Sequence, residues 1–336
     1  MNTYPLFAIR RCTDVDEVCH YFLTWPVEEG WNHCYGAEEI RQVFYPCDPN
    51  GFFLGTLMDE NGQETVVATL LTLRHTDDLA WIGSFIVAKN HRGKGYGSKV
   101  FQHGMDYLKG CRCIGLESLP KVVPNYRRLG FDGWTSKTFR GGMIKDVLEK
   151  LDAEKYEDVC IMDWTEADNG DLERLKQLIV LEKRTTGYDR PNFWKHWIRL
   201  HSSNDTNGTQ AASYGRHAAT VLNSSGGIGH FALIRPVVYG FAITIFSDSI
   251  HVAKALLRYL VQRVVESACD PSSNWLLPND HPLDVNGNVC SLNPVSVALF
   301  QDLGFKYVST RERMFYGTPP DADLSGLFSV ATLTVG

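Results

Sequence analysis

The sequence predicts an α/β protein made of two domains, each a mixed, mainly antiparallel sheet flanked by helices. Three observations lead there. The chain has 336 residues, enough for two hydrophobic cores at roughly 100–200 residues per domain. Residues 51–87 read as three consecutive strands separated by short polar turns, an antiparallel meander. The order helix, strands, helix, short helix, Leu-Gly-Phe, strand then occurs twice, with Arg127-Arg-Leu-Gly-Phe131 in the first half and Gln301-Asp-Leu-Gly-Phe305 in the second. That period is far too long for a solenoid and points to a duplicated domain.

The elements follow in order. Residues 6–10 read as a short strand. Thr13 or Asp14 caps a helix whose first turn is acidic. Residues 30–36 form an aromatic loop. Strands over 51–58, 65–73 and 81–87 surround a hairpin turn at 59–62. Val100, Phe101, Met105 and Leu108 recur at helical spacing and predict a helix over 98–109. A strand over 113–118, a short helix over 124–129 closed by Gly130, and a strand over 134–140 complete the first half. Residues 141–157, rich in Lys, Glu and Asp, fit a linker or bridging helix. The second round has a helix over 166–183, strands over 231–236 and 239–246, and a helix over 252–265. A strand or turn at 287–292, a helix over 294–303 and a strand over 306–316 follow. The tail after Pro319 carries no strong signal. The expected division is a coenzyme-binding domain at 1–143, a linker at 144–157, a second domain at 158–318 and a tail at 319–336.

No basic segment followed by a long apolar one opens the chain, and no uncharged run reaches the ~18 residues of a membrane span, so a cytoplasmic protein without a membrane partner is expected. Nine cysteines form no disulfide framework and no zinc spacing, so free thiols and no metal are expected; Cys111 and Cys113 would share one side of a strand. The sequons at Asn204, Asn207 and Asn223 read as polar loops. With 33 basic against 39 acidic residues the net charge is −6, which argues against a nucleic-acid partner and for a cationic or neutral substrate.

One segment reverses that charge. Lys89, Arg92, Lys94 and Lys99 fall between residues 88 and 99 with no acid among them. Within it, Arg92-Gly-Lys-Gly-Tyr-Gly97 links a strand to a helix. Glycines at alternate positions let backbone amides converge at a helix N-terminus, which suits a phosphate or pyrophosphate. The P-loop spacing is wrong, and the dinucleotide pattern fails because Ser98 stands where its third glycine belongs. The pattern Arg/Gln-x-x-Gly-x-Gly/Ala, which binds the pyrophosphate of coenzyme A, is matched by Arg92, Gly95 and Gly97.

With Asn125-Tyr126-x-x-Leu-Gly-Phe131 downstream, the first 143 residues resemble a GNAT-family N-acetyltransferase. Glu29-Gly-Trp-Asn32, Asp48-Pro-Asn-Gly-Phe-Phe53, Ile114-Gly-Leu-Glu117, Val252-Ala-Lys-Ala-Leu-Leu257, Leu303-Gly-Phe305 and Arg311-Glu-Arg-Met314 extend the resemblance to a tandem-GNAT group with a working first domain and a diverged second one. The resemblance implies that Arg92, Gly93, Lys94, Gly95, Tyr96, Gly97 and Ser98 cradle acetyl-CoA. It implies that the strand Phe85-Ile86-Val87 offers main-chain N–H to the oxyanion, and that Asn125 touches the pantetheine arm. Tyr126 is then the acid that protonates the leaving thiolate. Two departures from the group concern the acceptor. Glu117-Ser118 stands where Asp-Gly is usual, and Lys121-Val-Val-Pro124 replaces a Gln-rich loop. In the second half the equivalent of the glycine turn, Phe246-Ser-Asp-Ser249, lacks glycine. Asp248 there would repel a pyrophosphate, so Ser247 or Asp248 is expected as a helix cap.

Acetyl transfer needs a neutral amine, yet an ordinary alkylamine near pH 7 is only about one part in 10³ deprotonated, a cost of roughly 4–5 kcal/mol. Glu117 and Glu29 are the candidate bases, with a water relay as the alternative. Trp31 and Asn32 are candidates for the acceptor wall, and His33 either faces solvent or phosphate or acts as a base. No cysteine has a His/Asp pair to make it a nucleophile. The sequence therefore points to an acetyl-CoA-dependent N-acetyltransferase, an acyltransferase acting on a small amine or amino-acid derivative by direct transfer in a ternary complex. A non-catalytic acyl-CoA-binding protein is the second reading, since it needs the same turn.

Overall fold

The computed structural model describes residues 5–165, 168, 170–202, 215–269 and 276–336. Strand β1 (Leu6–Arg11) leads into helix α1 (Val15–Glu28). Asp14 caps that helix, its carboxylate accepting from the amides of Asp16 and Glu17. A π-helical turn, Ile40–Phe44, then precedes the meander β2 (Phe52–Met58), β3 (Glu64–Arg74) and β4 (Leu79–Val87). Helix α2 (Tyr96–Tyr107), β5 (Cys113–Ser118), α3 (Val123–Arg128) and β6 (Asp132–Met143) close the first round. The acidic and basic stretch that follows is the helix α4 (Ile144–Leu151), which buries Ile144, Val147 and Leu151.

The second round contains β7 (Ile161–Asp163), α5 (Leu172–Thr186), α6 (Pro191–Trp197), β8 (His217–Leu222), β9 (Ile228–Val237) and β10 (Gly240–Phe246). It continues through α7 (Ile250–Cys269), β11 (Asp284–Cys290), α8 (Pro294–Asp302) and β12 (Lys306–Gly317), and β13 (Leu327–Ser329) lies in the tail. Residues 287–292 thus belong mostly to a strand. Helix α6 and strand β8 carry too little periodicity of their own to be read from sequence. Cys111 lies in the turn before β5 rather than on it. All nine cysteines are free thiols. Asn204 and Asn207 lie outside the described residues, and Asn223 sits in a polar turn, accepting from the amides of Ser225 and Gly227.

One sheet runs through both halves in the order β1-β2-β3-β4-β5-β12-β6-β11-β10-β9-β8-β7. Its order is a palindrome of equivalent strands. In each half a meander ends in a parallel pair, β4 with β5 and β10 with β11, and all other neighbours on this path are antiparallel. The last strand of each round is exchanged. β6 pairs with β11 of the second half, and β12 pairs with β5 of the first. The repeated Leu-Gly-Phe plays the same part twice: Gly130 and Gly304, at φ +91° and +77°, end a helix, and Phe131 and Phe305 turn into the core.

The halves also share a core. Phe22, Phe44 and Phe52 pack in one cluster with Trp164, Trp194, Phe231 and Phe246. Above it sits a buried ion cluster, in which Glu39, fully buried, accepts from Arg216 at 2.8 Å and Arg235 at 3.1 Å. Burial alone would raise the pKa of Glu39, but the two guanidinium groups outweigh it and hold the carboxyl at about 2.

Removing the charge of Glu39 leaves two enclosed cations without a counter-ion. Glu39→Gln is expected to destabilise the protein by about 3–5 kcal/mol, read from urea unfolding by tryptophan fluorescence. A loss below about 1 kcal/mol would mean that the arginines find other partners. In the wild type this contribution is complete above the ordinary carboxylate value of 4.5 and fades as pH falls towards 2.

Candidate active site

The parallel pairing of β4 and β5 runs only from Leu79–Cys113 to Ile82–Leu116. Beyond it the strands part, and a cleft of about 520 Å³ opens between residues 82–87 and 116–119. Ser84 lies where the strands part. Its backbone has φ +42°, unusual for a residue with a side chain, and the register with β3 slips between Thr69 and Leu71. Such a conformation costs roughly 1–3 kcal/mol and persists where the surroundings over-determine it. Here Thr69 Oγ1 pins it by donating to the Ser84 carbonyl at 2.8 Å. The Ser84 hydroxyl lines the cleft, buried without a hydrogen-bond partner.

The glycine turn sits at one mouth of the cleft. Gly93 and Gly95 have φ +76° and +80° with open space where a Cβ would stand, so conformation and not crowding demands glycine there. At Gly97 the demand is packing, because a Cβ would lie 3.0 Å from Val87 and 3.3 Å from Phe85. Helix α2 begins at Tyr96 with no side-chain cap, which leaves its first amides for an anion. Arg92 lines the cleft and donates from Nε to the Val87 carbonyl at 2.8 Å and from Nη2 to Glu29 at 2.6 Å. Phe85, Ile86 and Val87 form the adjoining wall. Of the turn only Arg92 lines the cleft: Gly93, Lys94, Gly95, Tyr96, Gly97 and Ser98 lie outside it, and the Tyr96 ring stacks on Phe7 at 4.6 Å.

Tyr126 and Asn125, on α3, face the same cleft. The Tyr126 ring packs on Phe101 and Phe131, and burial raises its phenol to about 12. It is therefore a neutral donor across the physiological range. Asn125 also accepts from Arg128 through its Oδ1. Glu117 reaches the cleft from the end of β5, but its carboxylate is only 4% exposed. It accepts from Arg313 at 2.6 Å and from Ser136 at 3.2 Å. Glu29, at the end of α1, keeps more contact with water and pairs with Arg92. Trp31 and Asn32 both line the cleft, and Asn32 Oδ1 also accepts from the Tyr239 amide at 2.8 Å, which ties this wall to the second half.

Four further features line the cleft. His33 is fully enclosed with neither ring nitrogen partnered, and burial lowers it to about 4, so it is a neutral imidazole. Ser84 is the second. Arg311 comes from β12, so nothing in its local sequence could place it beside residues of the first half. Leu333 and Thr334 belong to the tail. That tail is not loose: Val330 and Val335 are buried, and Val335 O accepts from Arg190 Nη1 at 3.1 Å and lies 2.9 Å from His75 Nε2. The expected cap of α7 also shifts. Ser249 Oγ accepts from the Val252 amide, while Ser247 Oγ accepts from the Ser249 amide. Among the described residues no helix is long and apolar enough to cross a membrane, and no group of three His, Cys, Asp or Glu stands together to hold a metal ion.

Residues 16–131 match the Acetyltransferase (GNAT) family. Over 318 residues the chain is 24% identical to the holothin acyltransferase of Pseudoalteromonas sp. (strain SANK 73390), covering 93% of this chain and 89% of that one. A candidate acetyltransferase from Pyrococcus horikoshii superposes over 100% of this chain and 99% of its own, with TM-score 0.68 and 15% identity. A tandem GNAT protein from the clavulanic acid biosynthesis pathway covers 94% of this chain and 100% of its own, with TM-score 0.57 and 13% identity. A family that uses acyl-CoA co-substrates, an acyltransferase relative spanning most of the chain and a cleft opened by a splayed parallel strand pair agree, and residues 16–131 are a GNAT-family acetyltransferase domain carried in a chain with the fold of tandem GNAT proteins.

Proposed function

We propose that the protein is an acetyl-CoA-dependent N-acetyltransferase acting on a small amine or amino-acid derivative, by direct transfer in a ternary complex. The observation that supports this reading most is the meeting of an uncapped, glycine-bracketed helix start and a neutral phenol at one strand splay. In it, residues 1–143 hold the coenzyme, and residues 158–318 are a diverged counterpart that walls the acceptor side.

The roles follow from the chemistry. The amides of residues 93–98 and the Arg92 guanidinium hold the pyrophosphate, and Phe85–Val87 with Asn125 flank the pantetheine arm. A main-chain N–H of the diverging part of β4 donates to the oxyanion as the amine nitrogen attacks the thioester carbon. Tyr126 gives its proton to the sulfur as the C–S bond breaks. Arg92 cannot serve Glu29 and a pyrophosphate equally. Drawing Arg92 to the anion frees the Glu29 carboxylate to take the proton that the amine loses. Glu117, fixed by Arg313, orients the acceptor from the opposite wall.

Gly95→Asp places a carboxylate where the pyrophosphate is bound and is expected to weaken acetyl-CoA binding about 100-fold or more, measured by calorimetry, with the circular dichroism spectrum retained. Unchanged affinity would remove the turn from coenzyme binding. Tyr126→Phe is expected to lower kcat about 100-fold while the acetyl-CoA Kd stays within about twofold. A rate equal to wild type would reject Tyr126 as the acid.

A further inference from the structure

The charge of the cleft runs against that of the chain. The protein carries net charge −6, yet both acids in the cleft wall are already neutralised, Glu29 by Arg92 and Glu117 by Arg313, each at 2.6 Å. Two cations remain. Lys121 is exposed and solvated. Arg311 is half-buried, forms no ion pair among the described residues, and has its Nε enclosed without a hydrogen-bond partner. Burial depresses the Arg311 guanidinium, and Glu117, spent on Arg313, offsets this only in part. A desolvated cation of this kind weakens the fold unless something completes it.

Its position says what could do so. Arg311 and Arg313 are two residues apart on β12 and share one sheet face, the face on which Glu117 meets Arg313 and the Arg313 guanidinium lies over Trp81 at 4.9 Å. Tyr126 packs with Leu116 and Met314 on the other face, beside α2. Arg311 therefore stands across the splay from the glycine turn, on the acceptor side. A guanidinium, unlike an ammonium, presents a planar fork of donors matched to a carboxylate.

We infer that the acceptor is an amine bearing a free carboxylate, and that Arg311, delivered by β12 of the second half, is the specificity-determining residue that binds it. This rests on the acetyltransferase reading above. It narrows the substrate class to amino acids, their β- and ω-homologues, or short peptides acetylated at the amine while their carboxylate is held. It also explains why the exchanged strand matters chemically: among the described residues the first half supplies no unpaired guanidinium on that face of the cleft.

The test uses the full chain, saturating acetyl-CoA and a thiol-release assay. The acceptor panel is α-, β- and ω-amino acids and dipeptides, each paired with its primary amide. The wild type is expected to favour acids over matching amides by about 10- to 100-fold in kcat/KM, carried mainly by KM. In Arg311→Gln that ratio falls towards one, and in Arg311→Lys it is partly kept, while both variants bind acetyl-CoA as the wild type does. Because Arg311→Gln removes an unpaired, half-buried charge, its thermal midpoint is expected to equal or exceed that of the wild type. Amides used as well as acids by the wild type, or an acid preference that survives in Arg311→Gln, would overturn the assignment. So would an absence of turnover on every acid while acetyl-CoA binds. A wild type that does not bind acetyl-CoA at all sinks the acetyltransferase reading itself, and this inference with it.

Discussion

The pairing of β12 with β5 is the constraint on which the site depends. β4 holds β5 only as far as Leu116, and a strand released on one side needs its other edge secured. β12 supplies that edge over six register pairs, from Glu312–Ser118 to Gly317–Cys113. The Glu117–Arg313 ion pair crosses this ladder where β4 lets go, with both side chains almost wholly out of water. A lone charge so enclosed would be costly, so each partner exists in its place because the other does. The reciprocal pairing of β6 with β11 means that neither half completes its sheet with its own strands.

Duplication then left two equivalent helix starts with opposite endings. At α2 the residues before the first turn are glycines in left-handed conformations, and no side chain caps the amides. At α7 the matching segment has no glycine at positive φ, and Ser249 satisfies the Val252 amide. Asp248 stands beside it, within 3.5 Å of His230 and 3.9 Å of Arg184. A helix start whose donors are spoken for, with a carboxylate at its mouth, has the wrong electrostatics for a pyrophosphate. The second half contributes architecture to the first: β12, a wall contact through Tyr239 and the buried counter-charges of Glu39.

Much of this was legible in the sequence, for identifiable reasons. The meander, α2 and the glycine turn are local: alternation, helical spacing and glycine each act within a few residues. Tyr126, Glu117, Glu29, Trp31, Asn32 and Arg92 all line one cleft because their segments meet where β4 and β5 part, in the interior of the sheet. What could not be read was pairing between distant strands. Alternation identifies β12 as a strand but says nothing about which edge it joins, so Arg311 remained part of a phrase rather than of a site. Ser84 is hidden for another reason, since its positive φ comes from the register slip and not from its own preferences.

The tail shows the same limit from the side of packing. Residues 319–336 mix small, polar and apolar types with no period, yet Leu327, Phe328, Val330 and Val335 are buried. Their order is set by what they lie on. A Cβ at Gly83 would fall 2.0 Å from the Thr334 carbonyl oxygen, so the tail can rest on β4 only because that position is glycine. Arg190 and His75 then meet the Val335 carbonyl from beneath. With the tail seated, Leu333 and Thr334 join Gly83 in one wall of the cleft, and among the described residues its enclosed, unpartnered groups are the Ser84 hydroxyl, the neutral His33 imidazole and the Arg311 Nε. Charge averaged over the whole chain misleads about such a place. Surface acids set the total, whereas the cleft keeps only the groups that its own ion pairs have not consumed, and there the balance is positive.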